Sequence, residues 1–164
     1  MADTLSSKLP NFNRVLFLST ALPYEGYLFP DTYLFYKNET PESIVKKLND
    51  TFRKKVPNSS RDVIIMASIL EKEANGKDDI YMISGILWKR LKKNIALQVD
   101  AAPVTYKEVG LPSSPISNPG LMAIDASLNP KESEYYYYLH DKMGIVHYAE
   151  SYMGHRLNIN KYLK

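Results

Sequence analysis

The chain has no cysteine in its 164 residues, which excludes disulfides, thiolate metal sites and a cysteine nucleophile. The absence is compatible with either a cytosolic or an extracytoplasmic location. Histidine is scarce, with three copies: His140, His147 and His155. The first two fall on opposite arms of an expected hairpin and the third on the last helix, which is no metal-ligand spacing. There is no phosphate-binding Gly-rich loop, no dinucleotide fingerprint and no nucleophile elbow to support a serine triad. No apolar run approaches the ~20 residues of a membrane helix, and Asp3 with its polar neighbours interrupts any signal-peptide core. The chain is therefore expected to be soluble in itself. Charge of neither sign dominates: 21 basic against 18 acidic residues give +3. The doublets Lys46-Lys47, Lys54-Lys55 and Lys92-Lys93 are too sparse for a nucleic-acid surface and fit exposed helix faces.

What is present is ordinary globular composition, 45% hydrophobic and 24% charged, in a length suited to one domain with a real core. Tyrosine is abundant at 13 copies, a residue suited both to strands and to sugar or peptide surfaces. Residues 1–22 form a weakly patterned lead in which Val15-Leu16-Phe17-Leu18 is expected to be a short strand or a docking segment. Glu25 to Tyr33 is punctuated by Gly26 and Pro30 and is expected to wedge against the core as a loop, leading into a short strand near Thr32–Tyr36.

Helical signals follow. Thr40-Pro41 opens a helix whose apolar stripe is Ile44, Leu48 and Phe52, with Val45 beside it. Ser60 caps a helix over 61–75 that is apolar at seven of the eight positions from Val63 to Leu70; such a helix belongs inside a core. A third helix runs from about Asp79 to Lys92 on Ile80, Ile83, Leu87 and Leu91. Residues 94–120 carry few helical signals, and a short helix follows Asn118-Pro119-Gly120. Tyr135–Leu139 and Ile145–Ala149 pattern as a hairpin, and Ser151 caps a final helix. The expected fold is α+β: about five helices packed around a small antiparallel sheet, in a single domain.

The chemistry must come from carboxylates. Met66 to Gly76 contains an apolar helix that ends in Glu71-Lys72-Glu73, with Asn75-Gly76 as a natural terminator. A helix C-terminus disfavours a carboxylate anion, and partial burial acts in the same direction. A carboxyl kept protonated near neutral pH is what general-acid catalysis requires. Residues two apart on a helix point ~200° apart, so Glu71 and Glu73 cannot both enter one cleft. The remaining carboxylates beside Gly, Pro or loop elements are Glu25, Asp31 and Asp100, of which Asp100 is the best second carboxylate if Glu73 is the acid.

From Glu25 onward, several motifs occur in one order. They are Glu25-Gly26-Tyr27-Leu28-Phe29-Pro30-Asp31-Thr32-Tyr33, Met66-Ala67-Ser68-Ile69-Leu70-Glu71-Lys72-Glu73, Leu97-Gln98-Val99-Asp100, Gly110-Leu111-Pro112, Pro115-Ile116-Ser117-Asn118-Pro119-Gly120 and Leu128-Asn129-Pro130. In this the chain resembles the catalytic domain of the endolytic murein lytic transglycosylases, the YceG-like (MltG) family, with residues 23–164 as the domain. The resemblance implies cleavage of the β-1,4 bond between N-acetylmuramic acid and N-acetylglucosamine, without water, leaving 1,6-anhydro ends. It implies Glu73 as the catalytic acid/base and Glu25, Asp31, Gln98, Asp100, Tyr106 and Asn118 as cleft or substrate residues. No cofactor or metal is implied. The implied partners are peptidoglycan glycan strands and peptidoglycan synthases, not nucleic acid. The implied location is the extracytoplasmic face of the bacterial inner membrane, with membrane attachment through a segment this chain lacks.

Three departures from the family pattern stand out. The segment between Asp100 and Gly110 is short, leaving Ala102-Pro103-Val104-Thr105-Tyr106 with Val104 where Asn is usual. Ser113-Ser114 replaces Pro-Gly, and Val99 stands where Ser or Thr is common. Two alternative readings stand beside the transglycosylase reading, the first motivated by the shortened loop and the second by the pair of carboxylates. One is a non-catalytic glycan-binding or divisome-scaffold module on a degenerate fold, and the other is a muramidase-type hydrolase using Glu73 and Asp100.

Overall fold

The computed structural model describes residues 2–9, 12–74 and 77–164. Among these it forms seven helices and one two-stranded antiparallel sheet. The helices are α1 (Ala2–Lys8), α2 (Arg14–Ala21), α3 (Pro41–Lys55), α4 (Arg61–Glu73), α5 (Lys77–Lys92), α6 (Leu121–Leu128) and α7 (Tyr152–Tyr162). The strands are β1 (Tyr137–His140) and β2 (Val146–Ala149). The α+β expectation holds, with two helices more than expected because the lead segment is helical.

The caps that the sequence advertises are the ones used. The side-chain oxygens of Thr40, Ser60 and Ser151 accept the N–H groups of Ser43, Val63 and Gly154 at 3.2, 3.3 and 3.1 Å, satisfying donors that a helix start leaves orphaned. The α3 stripe of Ile44, Val45, Leu48 and Phe52 is buried as patterned. Along α4, Ile64 through Leu70 are all buried, each large aliphatic side chain contributing ~1.5–3 kcal/mol relative to exposure. This helix is the axis of the main core, which also takes in Ile80, Ile83 and Leu87 of α5, Leu97 and Val99 of the following loop, and Ala123, Ile124 and Ala126 of α6.

Ser68, the polar exception in that helix, has a role. Its hydroxyl donates to Ile65 O at 2.7 Å and accepts the N–H of Ile116 at 3.0 Å, while Ser117 Oγ donates to Ser68 O at 2.8 Å. The 115–120 segment is thereby pinned along α4. Gly26 packs against it at φ +90°, where a Cβ would collide with the Pro115 ring. Asn118 completes the junction, its Oδ1 accepting the N–H groups of both Gly26 and Leu28 at 2.9 Å.

Several expectations are corrected. Val15-Leu16-Phe17-Leu18 lies in α2, not in a strand, because Asn13 caps a helix there by accepting the N–H of Leu16 at 2.9 Å. The segment does dock, through Phe17, into a second cluster with Leu5, Leu9, Leu28 and Ile44, Val45 and Leu48 of α3. Thr32–Tyr36 has no regular structure and belongs to no strand. Helix α4 ends at Glu73, with Ala74 as its C-cap; the expected terminator Asn75-Gly76 lies outside the described residues. Helix α5 begins at Lys77, two residues earlier than expected. In the hairpin, Leu139 pairs with His147 and His140 with Val146; β1 begins two residues later than expected and extends one further, and β2 begins one residue later.

Candidate active site

Glu73 is brought to the wall of a cleft of about 420 Å³ whose other walls are the 97–106 loop, β1 and α7. Its half-buried side chain is gripped at both oxygens. Ala101 N–H donates to Oε1 at 3.1 Å and Tyr138 Oη donates to Oε2 at 3.0 Å. Glu71 points elsewhere, as helical geometry requires. Its exposed carboxylate accepts the N–H of Gly120 at 3.0 Å, and Gly120 is the N-cap of α6. An anion at a helix N-terminus is stabilised there. Of the two glutamates, one therefore closes off a helix end and the other faces the cleft.

Tyr138 reaches Glu73 because of strand register. Tyr138 and Tyr148 are directly opposed across the hairpin and so share a face. Tyr148 Oη donates to Asp79 of α5 at 2.8 Å, while Tyr135 stacks on Tyr148 at 5.2 Å between ring centroids. The two hydroxyls thus fix the hairpin to the end of α4 and the beginning of α5. Burial, reinforced by the neighbouring Glu73, holds the Tyr138 phenol well above its usual range, so it remains a donor. Burial likewise raises the Tyr148 phenol, with Asp79 acting in the same direction.

The 97–106 loop is short but fully tied. Buried Thr105 accepts the N–H of Val99 at 3.1 Å and donates to Ala102 O at 2.7 Å, and its carbonyl takes the N–H of Gln98 at 3.1 Å. Asp100 Oδ1 accepts Tyr106 Oη at 2.6 Å, a bond that pushes the phenol up to about 12. Beneath the loop lies Arg90, only 5% exposed. Its Nε donates to Ala96 O at 2.9 Å, its Nη1 to Tyr136 O at 3.3 Å and its Nη2 to Gln98 Oε1 at 2.8 Å. Among the described residues it forms no ion pair. His140 and His155 also line the cleft. Burial, with the Arg90 charge second, pushes the His155 imidazole below its usual value.

Glu73, Gln98, Asp100 and Tyr106 are therefore brought together, as expected. Glu25, Asp31 and Asn118 are not in this cleft. Glu25 borders a separate hollow with Arg61 and Pro115. Asp31 pairs with Lys55 at 2.6 Å, which holds its carboxyl below the usual range. Asn118 is occupied in bracing the 26–28 backbone. Sequence reasoning missed Tyr138 and Arg90. The period-2 facing of the two tyrosine-bearing strands was a usable signal for Tyr138; nothing local marked Arg90, whose partners lie up to 46 residues away.

The architecture defines a class: an α+β domain organised around one cleft glutamate at the end of a buried helix. The chain belongs to the YceG-like family, whose model matches residues 1–103 and 104–161. It is similar to the endolytic murein transglycosylase of Bacillus subtilis, 30% identical over 174 residues, covering 86% of this chain and 48% of that one. It is also similar to the endolytic murein transglycosylase of Streptococcus pneumoniae strain D39, 27% identical over 177 residues, covering 85% and 32%. The chain spans about half or less of the length of these curated relatives. A crystal structure of a YceG-like protein from Listeria monocytogenes superposes with a TM-score of 0.84 at 26% identity, over 95% of this chain and 71% of that one. The family match breaks at 103/104, inside the turn Pro103–Tyr106.

Proposed function

We propose that this chain is the catalytic domain of a peptidoglycan lytic transglycosylase, cutting the β-1,4 bond between N-acetylmuramic acid and N-acetylglucosamine within glycan strands. The observation that carries the reading is that Glu73 faces the cleft while Glu71 is committed to the start of α6. The names of the relatives supply the substrate class.

In this reading Glu73, protonated, gives its proton to the glycosidic oxygen as the bond to the muramic anomeric carbon breaks. The muramic C6 hydroxyl then attacks that carbon, and the Glu73 carboxylate accepts the hydroxyl proton. The products are a free 4-hydroxyl on the N-acetylglucosamine and a 1,6-anhydro muramic end. Glu73 returns to its starting state, and no water and no cofactor is consumed. Ala101 N–H and Tyr138 Oη are the donors that hold the carboxylate between the two proton transfers. Such a substrate places the work on the extracytoplasmic side of the bacterial inner membrane, in proximity to peptidoglycan synthases.

The test is digestion of purified sacculi or nascent glycan strands, with products analysed by mass spectrometry. Anhydro-muramic ends that vanish in Glu73→Gln are the expected result. One observation favours a second reading: Asp100 borders the same cleft, where it could direct a water. Ordinary reducing ends would establish that muramidase-type hydrolysis. Strand binding without turnover, unchanged in Glu73→Gln, would establish a non-catalytic glycan-binding module.

A further inference from the structure

We propose that Arg90 is a positioning residue for Glu73, a single guanidinium that fastens both of the backbone elements whose donors grip that carboxylate. The inference rests on the acid/base reading of Glu73. The two donors come from elements that share no ladder: Ala101 belongs to the loop after α5, and Tyr138 to β1. Arg90 spans the gap between them. Nε and Nη2 hold the loop at Ala96 and Gln98, three residues short of Ala101. Nη1 holds Tyr136, two residues before Tyr138 and immediately before β1. The Tyr137 ring lies 5.4 Å from the guanidinium carbon, near enough for a cation–π contact that favours one placement of that strand.

The chemistry of the side chain fits the task. A guanidinium is planar and presents its donors in a rigid fork, so the three acceptors are fixed relative to one another; an ammonium is a point charge and fixes none of their angles. Gln98 needs such a restraint. It sits at φ +52°, a left-handed conformation that a residue with a Cβ adopts at a cost, and its side-chain oxygen is one of the tines' acceptors. Arg90 is the one buried charged residue among the described residues. A buried cation without a carboxylate partner is costly, and an apolar residue would fill the same volume without that cost. What an apolar residue could not do is set the loop and the strand at one spacing around Glu73.

The experiment compares Arg90→Lys with the unaltered chain on glycan strands, together with amide hydrogen exchange at Ala101. The expected result is a kcat lower by about 10–100-fold with KM within about twofold, and Ala101 exchange faster by about tenfold or more. The Arg90→Lys/Tyr138→Phe pair should lose less than the product of the single losses, because the two act through one grip. Wild-type kcat and unchanged Ala101 exchange in Arg90→Lys would overturn the inference. Gln98→Leu, which removes one acceptor at an exposed site, serves if Arg90→Lys does not fold: faster Ala101 exchange supports the inference and unchanged exchange overturns it. Absence of turnover in the unaltered chain would sink the transglycosylase reading, while Ala101 exchange would still report whether Arg90 fastens the loop.

Discussion

Tyr138 Oη donates to Glu73 Oε2 at 3.0 Å, joining residues 65 positions apart in the chain. The bond is made from inside the cleft wall, by a phenol that burial keeps protonated. Tyr138→Phe retains the ring and deletes only this donor. Hydrogen bonds to charged groups are worth ~1.5–3 kcal/mol, so kcat on glycan strands should fall by about 10–100-fold. Initial rates at saturating substrate, with a thermal melt to verify the fold, measure it. Full activity in Tyr138→Phe would mean that the Ala101 N–H alone orients the carboxylate.

The two glutamates at the end of α4 should separate cleanly by substitution. Glu71 supplies a side-chain acceptor to the first turn of α6, a role like that of an N-cap. Glu71→Gln should lower stability by ~0.5–1 kcal/mol and leave turnover within about threefold. Glu73→Gln should do the reverse, abolishing turnover with little change in the denaturation midpoint. Urea melts and product analysis on both variants decide it. A loss of turnover as large in Glu71→Gln as in Glu73→Gln would remove the distinction on which the assignment rests.

The elements that could be read from sequence are those whose signals are local. Thr40, Ser60 and Ser151 are caps that work within three residues, and the α3 stripe and the hairpin follow from period alone. Val15–Leu18 looks like a strand because four apolar residues in a row carry no period, yet Asn13 caps a helix there. Thr32–Tyr36 has strand composition but no neighbouring strand among the described residues to complete a ladder. The candidate site divides the same way. Helix geometry allows one glutamate alone into the cleft and the family resemblance chooses Glu73, whereas Tyr138 meets it across 65 positions and Arg90 ties its own loop to a residue 46 positions away. Asn118 sits within a recognisable motif but turns out to bind backbone, which composition cannot reveal.

Gly85 gives a sign test. In an exposed helix interior Gly→Ala stabilises by ~0.8–1.0 kcal/mol. Here a Cβ on Gly85 would fall well inside van der Waals contact distance of the Lys131 carbonyl oxygen, and Lys131 N–H already bonds Tyr81 O at 2.9 Å. The obstructing atom is backbone of a residue whose N–H is tied to α5, so it cannot swing aside as a side chain would. Gly85→Ala should therefore destabilise, by ~1–3 kcal/mol as for overpacking elsewhere. A urea midpoint at or above that of the unaltered chain would show that the 130–134 segment yields.

Ser68 tests the pinning of the 115–120 segment. Its hydroxyl is fully buried and accepts the N–H of Ile116. Ser68→Ala leaves that N–H without its acceptor, a loss that costs ~1–3 kcal/mol. The hydroxyl's own bond to Ile65 O is also lost, but Ile65 O lies within a helix. Ser68→Val should cost more, because its extra methyl groups enter a packed core. Denaturant midpoints in the order Ser, Ala, Val from most to least stable are expected, and an Ala variant as stable as the unaltered chain would show that Ile116 finds another acceptor.

Acid stability should depend on His155. Its ring stacks on Tyr137 at 5.3 Å, its Nδ1 is buried without a partner among the described residues, and burial followed by the Arg90 charge pushes its pKa below the ordinary 6.5. The unfolded chain therefore binds this proton at higher pH than the folded one, and stability rises with pH across the interval between the two values. On acidification the loss begins as pH falls below about 6.5 and is complete once the folded value has been passed. Asp141 adds a separate loss at lower pH, because the His147 hydrogen bond holds its carboxyl below 3.8, so that loss starts only when pH falls through 3.8. His155→Phe keeps the stacking and removes the titration. Its melting temperature should decline less than that of the unaltered chain between about pH 7 and about pH 5, and it should match or exceed it at the upper end, where an orphaned ring nitrogen has been replaced by carbon. Parallel declines in the two proteins would assign the acid sensitivity to other groups.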